Sequence, residues 1–491
     1  MADTDSPQQI SQMEETDHPQ ENSGKKRIRQ TRVPKEAMYG IELRRRQIRI
    51  RLMMAAGALV LLAILSTIAV VYPGTDGVAK RMEARIAETM QADVTLQGVD
   101  FSAFQANIGQ LDASWPQGGA LISLRAESLA ANVMPQRYFG PRFGGDEMRA
   151  ERARLKLQFP TGGEDGGGLE PAGRRPKIAF ERYGVRKLEV FFGDPNEAAS
   201  AMVRDAEAAF YPQGANGLPR VMLYSGRLDI PFWPELLLDR AIVELPHGSS
   251  RIISMRLRDG EAELTDGIQP GICDLSGDIS HDPETASTLD VEFRGFELEK
   301  LIGADAGRIF SGRIDSRRGH GTAIVRVSAA EGVQMRAELL VTQHFDLKFG
   351  QFPFLRFLAE NLGDNWFRNP MFDEEASMVL IRDGADISVE EINFSARHRM
   401  ALRGEVAISL DGEISGSLEV GLAPGVIDVA ITRRLDGMFS SERDGYRWVT
   451  LELGGTTDMP VDDFNAQFIE APLPDTPLPL PGSTLPPAFG D

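Results

Sequence analysis

Apolar and polar residues alternate along much of the chain after residue 92. In the run Leu289–Phe293 every second residue is apolar and the residues between are charged. This period of two predicts a strand with one apolar and one solvated face. Other segments with the same alternation are 94–97, 153–159, 406–410 and 414–422. The pattern predicts a mainly β protein.

Glycine marks many of the turns between these runs. The chain has 49 glycines among 491 residues, about 10% against an average of ~7%. Asp-Gly supplies the positive φ that tight hairpins require, and four such pairs lie between strand-like runs. They are Asp259-Gly260, Asp383-Gly384, Asp411-Gly412 and Asp444-Gly445. The clearest predicted hairpin joins Gly404–Leu410 to Glu413–Leu422, so we expect a long antiparallel sheet.

Helical periodicity is confined to a few segments. Apolar residues at four-residue spacing predict an amphipathic helix over Asp76–Gln91. The Ala-rich segment Asn196–Tyr211 is also predicted to be helical, and Leu298–Ile302 to form a short helical turn. A further helix is predicted within Phe354–Phe367. It either closes a groove or contacts lipid, or it packs on the sheet. Its apolar candidates are Phe354, Phe357, Leu358 and Leu362.

The segment Leu52–Tyr72 contains no charged residue. As a helix it would span ~32 Å, enough for a hydrocarbon core of ~30 Å. Between Arg32 and Arg51 lie seven basic and two acidic residues, which favours a cytoplasmic N-terminus. The apolar run is longer than the core of a cleaved signal peptide, and about 50 residues precede it. We therefore predict an uncleaved, single-pass membrane anchor.

Charge divides the chain at this segment. Residues 1–51 carry 11 basic and 8 acidic residues, net +3, and the remainder carries 42 basic and 64 acidic residues, net −22. We predict a disordered cytoplasmic tail with a basic juxtamembrane stretch over 1–51, an exported domain over 73–471 and a Pro-rich disordered tail over 472–491.

A single cysteine, Cys273, excludes an intrachain disulfide framework. Because so large an exported domain without disulfides is unusual in a eukaryotic secretory lumen, a bacterial periplasm is favoured.

The sequence contains no motif that indicates catalysis. It has no nucleophile elbow, P-loop, zincin motif or dinucleotide-binding fingerprint. The densest group of metal-ligating residue types, Asp278–Glu284, is interpreted as a solvated hairpin loop because Asp and Pro form turns. The net charge of −19 argues against nucleic-acid binding. We expect a protein that is not an enzyme and that has no cofactor or metal.

A long one-sided sheet must bury its apolar face. The few predicted helices cannot cover the ~20 or more strands that this length allows. Either the sheet closes on itself, or it curls into a trough whose apolar lining contacts acyl chains. The best-marked candidates for that lining are Val406, Ile408, Leu410, Ile414, Leu418 and Val420.

The layout resembles the AsmA-like family of bacterial envelope proteins, which is related to TamB and the bridge-like lipid transfer proteins. The resemblance rests on the anchor, the short helix, "ADVTLQGV" (Ala92–Val99) and "WVTLELGGTTDMPVDDF" (Trp448–Phe464). Gly-centred strands add to it: "LSGDIS" (Leu275–Ser280), "FSGRID" (Phe310–Asp315) and "LRGEVAISLDGEISGSLEVGL" (Leu402–Leu422). The resemblance implies a β-groove fold, a curved antiparallel sheet with an apolar interior, and a role in phospholipid movement or outer-membrane homeostasis. It supplies no catalytic residues.

Two hypotheses follow for the function. In the first, the protein is anchored in a bacterial inner membrane, and its periplasmic β-groove binds or conducts phospholipid acyl chains. Its partners would be those acyl chains, the inner membrane and an outer-membrane or envelope protein. In the second, it is a bitopic envelope scaffold or regulator, and a closed β-domain acts through protein contacts.

Overall fold

Strands dominate the computed structural model of the chain. The residues that it describes are 60–61, 76–101, 105–115, 121–133, 143–157, 178–192, 201–214, 216–246, 249–261, 269–280, 285–316, 321–325, 333–341, 347–372 and 375–473. The predicted cytoplasmic tail, the Pro-rich tail after residue 473 and nearly all of Leu52–Tyr72 lie outside these ranges. Within them, no helix combines the length and the apolarity that crossing a bilayer requires.

The strands in these ranges are mostly long and follow one another closely. They are β1 (Asp93–Phe101), β2 (Gln105–Ser114), β3 (Leu121–Asn132), β4 (Phe143–Leu157), β5 (Ile178–Phe192), β6 (Ala201–Tyr211), β7 (Arg220–Asp229), β8 (Leu236–Glu244), β9 (Ser249–Arg258), β10 (Ile272–Ser280), β11 (Ser287–Arg294), β12 (Phe296–Glu297), β13 (Phe310–Ser311), β14 (Arg313–Ser316), β15 (Gly321–Val325), β16 (Val333–Val341), β17 (Leu347–Phe349), β18 (Met371–Phe372), β19 (Glu375–Asp383), β20 (Asp386–Ala396), β21 (Met400–Ile408), β22 (Ile414–Leu422), β23 (Ser441–Arg443), β24 (Tyr446–Gly455) and β25 (Pro460–Asp462).

The helices are short by comparison. They are α1 (Asp76–Met90), α2 (Glu299–Ala306), α3 (Pro353–Leu362), α4 (Pro424–Asp428), α5 (Arg434–Met438) and α6 (Phe464–Glu470), with a 3₁₀ turn at Asn365–Arg368. The predicted helix over Asp76–Gln91, the turn at Leu298–Ile302 and the helix within Phe354–Phe367 are therefore confirmed.

One large open sheet of 22 strands contains most of these elements. It runs in chain order from β1 to β11, continues through β15, β16 and β19 to β22, and ends at β24 and β25. Among the described pairings only β4 with β5 is parallel. A small second sheet joins β13, β17 and β18. The predicted mainly β class, with a long antiparallel sheet and few short helices, is confirmed.

Three of the four Asp-Gly pairs form tight hairpin turns. Asp383-Gly384 joins β19 to β20, Asp411-Gly412 joins β21 to β22, and Asp444-Gly445 joins β23 to β24. Their glycines have φ values of 59°, 75° and 78°, the left-handed region that such turns need.

The fourth pair, Asp259-Gly260, does not form a tight hairpin. It follows β9, whereas β10 begins only at Ile272. The buried Asp259 carboxylate accepts hydrogen bonds from the backbone N–H groups of Gly271, at 2.7 Å, and Glu297, at 2.8 Å. This carboxylate therefore holds the end of a longer connection, and the tight-turn prediction is wrong here.

The helix predicted over Asn196–Tyr211 is also wrong, because Ala201–Tyr211 is strand β6. Ala206 and Ala208 are buried between neighbouring strands. At the contact with β7, the Cβ that Gly226 lacks would lie 2.9 Å from the Ala206 Cβ. Small residues fit this close approach, so tertiary packing overrides the helix propensity of alanine.

The core lies on one face of the sheet and is rich in phenylalanine. From β11 onward, helices α2 to α6 and the small sheet cover this inner face. Its fully buried rings are Phe293, Phe296, Phe310, Phe349, Phe352, Phe354, Phe372, Phe394, Phe439 and Phe464. Smaller clusters under α1 bury Met82 and Ile86 against β1 to β5.

Candidate functional site

A single row of paired residues crosses the sheet from β2 to β22. Each member is the registered partner of the next, and directly paired residues project on the same face of a sheet. The members are Ala106, Ala131, Met148, Tyr183, Phe210, Val221, Val243, Ile252, Gly277, Leu289, Ala323, Met335, Arg382, Ile387, Ile408 and Ile414. Arg382 is the one charged member. We call this set the long row.

Exposure changes along the long row. Its members on β4 to β8, from Met148 to Val243, are half-buried. From Leu289 to Ile414 each member is at most 6% exposed. The inner face is therefore covered at one end of the row and only partly covered in the middle.

A second row has the same character in the middle of the sheet. It pairs small with larger apolar residues across β4 to β11: Ala150, Val185, Ala208, Leu223, Ala241, Met255, Leu275 and Val291. The larger members Val185, Leu223, Met255 and Leu275 are half-buried. The half-buried apolar side chains of β4 to β10 on this side of the sheet are called the open inner face.

Charged residues of these strands lie on the opposite face and pair across the strands. Arg256 donates to Asp274 at 2.8 Å, Arg294 donates to the same carboxylate, and Arg154 on β4 donates to Glu189 on β5. Burial acts to raise the pKa of Asp274, but Arg256 and Arg294 outweigh it and hold that pKa below its ordinary value. Exposed pairs of this kind add little stability. They keep the charges off the inner face.

Helix α1 borders the open inner face on the N-terminal side. Met82 packs with Phe180 of β5, and Ile86 packs with Val94 of β1. The Trp115 indole N–H donates to the backbone oxygen of Met90, the last residue of α1, at 2.8 Å. The helix is thereby fixed over the first strands.

Arg382 lies in the covered part of the inner face, at the end of β19. Its side chain is buried, with 2% of the residue exposed. The guanidinium donates to three backbone oxygens, those of Gly384, Leu301 and Phe232. Burial lowers the pKa of Arg382 to about 10, so the group keeps its charge at neutral pH. Carbonyl dipoles partly replace the water that this cation has lost.

The Phe232 oxygen belongs to the segment 230–235, which joins β7 to β8 and is called the strap. The guanidinium carbon of Arg382 lies over the Trp233 ring, 4.4 Å from the ring centroid. This distance is within the range of cation–π attraction. Phe232 has a φ of 68°, which is uncommon for a bulky residue. The strap therefore contacts β19, a strand far from β7 in the sheet order.

Most of the predicted lining residues lie in the covered part of the sheet. Val406, Ile408, Ile414, Leu418 and Val420 are each at most 5% exposed, within the phenylalanine-rich core. Leu410 follows the end of β21 in the hairpin turn and is 63% exposed. Protein side chains thus occupy the space that the sequence suggested for acyl chains at these strands.

The aromatic helix candidates pack on the sheet side. Phe354 and Leu358 of α3 are buried, and Phe357 and Leu362 are half-buried against the same core. Phe357 contacts the ring of Phe468 at 4.7 Å between centroids, in an edge-to-face arrangement. Of the two interpretations of this helix, the packed one describes its position.

The alternation of the sequence does not locate the open inner face. It predicts the strand that contains Leu155 and Leu157, but the alanines of β6 predict a helix, and β7 to β9 show no clear alternation. The sequence does carry a signal: between Arg220 and Arg258 short apolar runs at 221–223, 236–238 and 241–243 are separated by Gly, Pro and charged residues, with no helical period. Which part of a face is covered depends on distant contacts, which no local pattern reports.

No family model and no curated protein matches this sequence.

Proposed function

We propose that the protein binds phospholipid acyl chains on the open inner face. The observation that carries this proposal is the break in exposure along the long row, whose members are half-buried on β4 to β8 and at most 6% exposed from β11 onward. Soluble proteins rarely leave large contiguous apolar surfaces without a partner. A face without charged side chains suits a hydrocarbon ligand.

The contacts of the strap support a curled sheet. From β7 to β19 the sheet order has seven pairings, or ~34 Å if the strands lay flat at ~4.8 Å spacing. Arg382 nevertheless donates to the Phe232 oxygen just after β7. We infer that the sheet bends around its inner face and forms the groove that the AsmA-like resemblance implies.

Hydrocarbon burial would drive binding. Each buried CH₂ contributes ~0.8 kcal/mol, so ten methylenes would supply about 8 kcal/mol before the costs of ordering the chain. Because the charged residues lie on the other face, headgroup recognition would be weak. The uncharged segment Leu52–Tyr72 would anchor the protein at the source of its ligand, with the domain on the periplasmic side of a bacterial inner membrane and a role in envelope lipid homeostasis.

Met255 and Ile253 offer a matched test on strand β9. Met255 belongs to the open inner face, whereas Ile253 lies at a β-bulge, is skipped in the pairing with β8 and is 42% exposed. The photo-crosslinking residue p-benzoylphenylalanine is placed at either position in the full chain and irradiated in cells. Mass spectrometry should find phospholipid adducts at 255 and few at 253. Equal yields at the two positions would contradict the proposal.

An envelope scaffold is the second candidate function, and one observation favours it. Near the C-terminal end of the described residues four aliphatic side chains are 64–78% exposed: Val429, Ile431, Ile469 and Leu473. Exposed apolar side chains of this kind suit a protein partner. The same crosslinker at Ile431 distinguishes the functions: a discrete protein adduct there, with no lipid adduct at 255, would favour the scaffold.

A further inference from the structure

We propose that Arg382 and the strap close one end of the acyl-chain groove, so that lipid held on β4 to β10 cannot pass along the sheet to β20–β22. This inference rests on the proposed function. It adds that the groove is blind on its C-terminal side, and that lipid enters and leaves through the open inner face.

The position of Arg382 is the first observation. The long row is uncharged on every other strand that it crosses, and the cation stands between Met335 on β16 and Ile387 on β20. Methylene groups moving along the row would have to pass a buried guanidinium. Placing hydrocarbon against it would displace the carbonyl oxygens that now solvate it, which carries a high desolvation cost.

The strap is the second observation. Its residues Phe232 and Trp233 give Arg382 a hydrogen-bond acceptor and an aromatic face. Pro231 and Pro234 flank this pair, and proline restricts both its own φ and the residue before it. The strap therefore holds its contact on β19 with little conformational freedom. It crosses the groove from the β7–β8 side.

The third observation is the packing beyond Arg382. Phe394 of β20 lies 5.5 Å from Phe372 and 6.4 Å from Phe310 between ring centroids. Phe349 and Phe352 stack at 5.3 Å. Side chains in such a core are close-packed. An acyl chain could enter this region only by displacing them.

The open stretch limits how much lipid is held. From β4 to β10 the sheet has six strand spacings, or ~29 Å. One leaflet of a bilayer has about half of the ~30 Å hydrocarbon thickness. The open inner face therefore matches the acyl chains of one or two phospholipids. This geometry describes a holding site with one entrance rather than a conduit along the whole sheet.

Crosslinking on either side of Arg382 tests the closure in the full chain. The residue p-benzoylphenylalanine is placed singly at Leu223 and Met255, on the open side, and at Val389 and Ile408, beyond the closure. We expect phospholipid adducts at 223 and 255 on the order of tenfold above those at 389 and 408, equivalent to about 1.4 kcal/mol of preference.

The outcomes separate the two proposals. Comparable adducts at all four positions would overturn the closure and leave acyl-chain binding intact. No adduct at any position would overturn both. A variant Arg382→Met, if thermal unfolding shows that it remains folded, should raise the adduct yield at 408 toward that at 223. An unchanged yield at 408 would show that Arg382 does not close the groove.

Hydrogen exchange covers the case in which the buried probes disturb folding. The unmodified full chain is held in amphipol with and without phosphatidylethanolamine vesicles, and amide exchange is compared strand by strand. Slower exchange confined to β4–β10 supports the closure. Added protection in β19–β22 overturns it, and no change anywhere overturns acyl-chain binding as well.

Discussion

Glycines inside strands shape the backbone where no other residue fits. Gly277, Gly312, Gly404 and Gly416 lie in the Gly-centred strand motifs and have φ values of 136–146°. A Cβ on Gly404 would lie 2.1 Å from the backbone oxygen of Ser417 on the paired strand. The glycine excess therefore serves close strand approach as well as hairpin turns.

Replacing Gly404 with alanine should destabilise the domain. The added methyl would collide with the β22 backbone, and the φ of 136° is unfavourable for any L side chain. We expect a loss of about 1–3 kcal/mol or more, measured by denaturant unfolding of the full chain. Gly425→Ala is the control, because nothing lies within 4 Å of its Cβ position. Equal stabilities for the two variants would contradict this account.

One carboxylate on β25 connects two helices to the sheet. Asp462 accepts from the backbone N–H of Phe354 in α3 at 2.8 Å and of Phe464 in α6 at 3.2 Å. Burial raises the pKa of Asp462, although both hydrogen bonds oppose that effect and the charge of Asp463 adds to it. The aromatic helices thus depend on a partly desolvated acceptor.

Substitutions at Asp462 should separate capping from charge. Asp462→Ala leaves two helix N–H groups without their acceptor and should cost about 1–2 kcal/mol. Asp462→Asn keeps one acceptor oxygen and removes the buried charge, so its cost should be smaller. Thermal unfolding ranks the two against Glu405→Ala, an exposed outer-face control. A larger loss in the Asn variant would show that the charge itself is needed.

Strand pairing could be predicted where sequence-local chemistry decides it. The β21–β22 hairpin follows from alternation plus Asp411-Gly412, and α1 follows from its four-residue period. Strand β6 could not be predicted, because its alanines favour a helix locally and only the close contact with β7 makes small residues a requirement. The role of Asp259 could not be predicted either, because its carboxylate accepts hydrogen bonds from two backbone N–H groups that are distant in sequence.

The location of the candidate site depends on the whole molecule. Alternation predicts that Ile408 and Ile414 share an apolar face, and strand pairing places Val221 and Val243 on that face as well. Local alternation does not report which of these residues are exposed. Helices α2 to α6 cover the first pair, whereas α1 stops short of the second. A face can therefore be predicted from sequence, but the open part of that face cannot.

The membrane topology is a prediction at this scale. Alkaline phosphatase fused after Asp491 should be active, since it folds only outside the cytoplasm, and green fluorescent protein at the same point should be dark. The basic residues before Leu52 would set this orientation. Changing Arg44, Arg45 and Arg46 to Glu should lower the phosphatase activity. A bright fluorescent fusion of the unaltered chain would contradict a periplasmic domain.

The registered pairing of the long row bears on how such a protein can change in length. Each strand contacts chiefly the strands beside it, so stability depends on nearest neighbours, as in repeat proteins. Inserting one strand would reverse the direction of every strand after it. Inserting a hairpin of two strands would leave unchanged both the direction of the later strands and the face on which their side chains lie. Every hairpin inserted between β5 and β10 would widen the sheet by about 10 Å. The area of the inner face could thus grow during evolution in whole-hairpin steps.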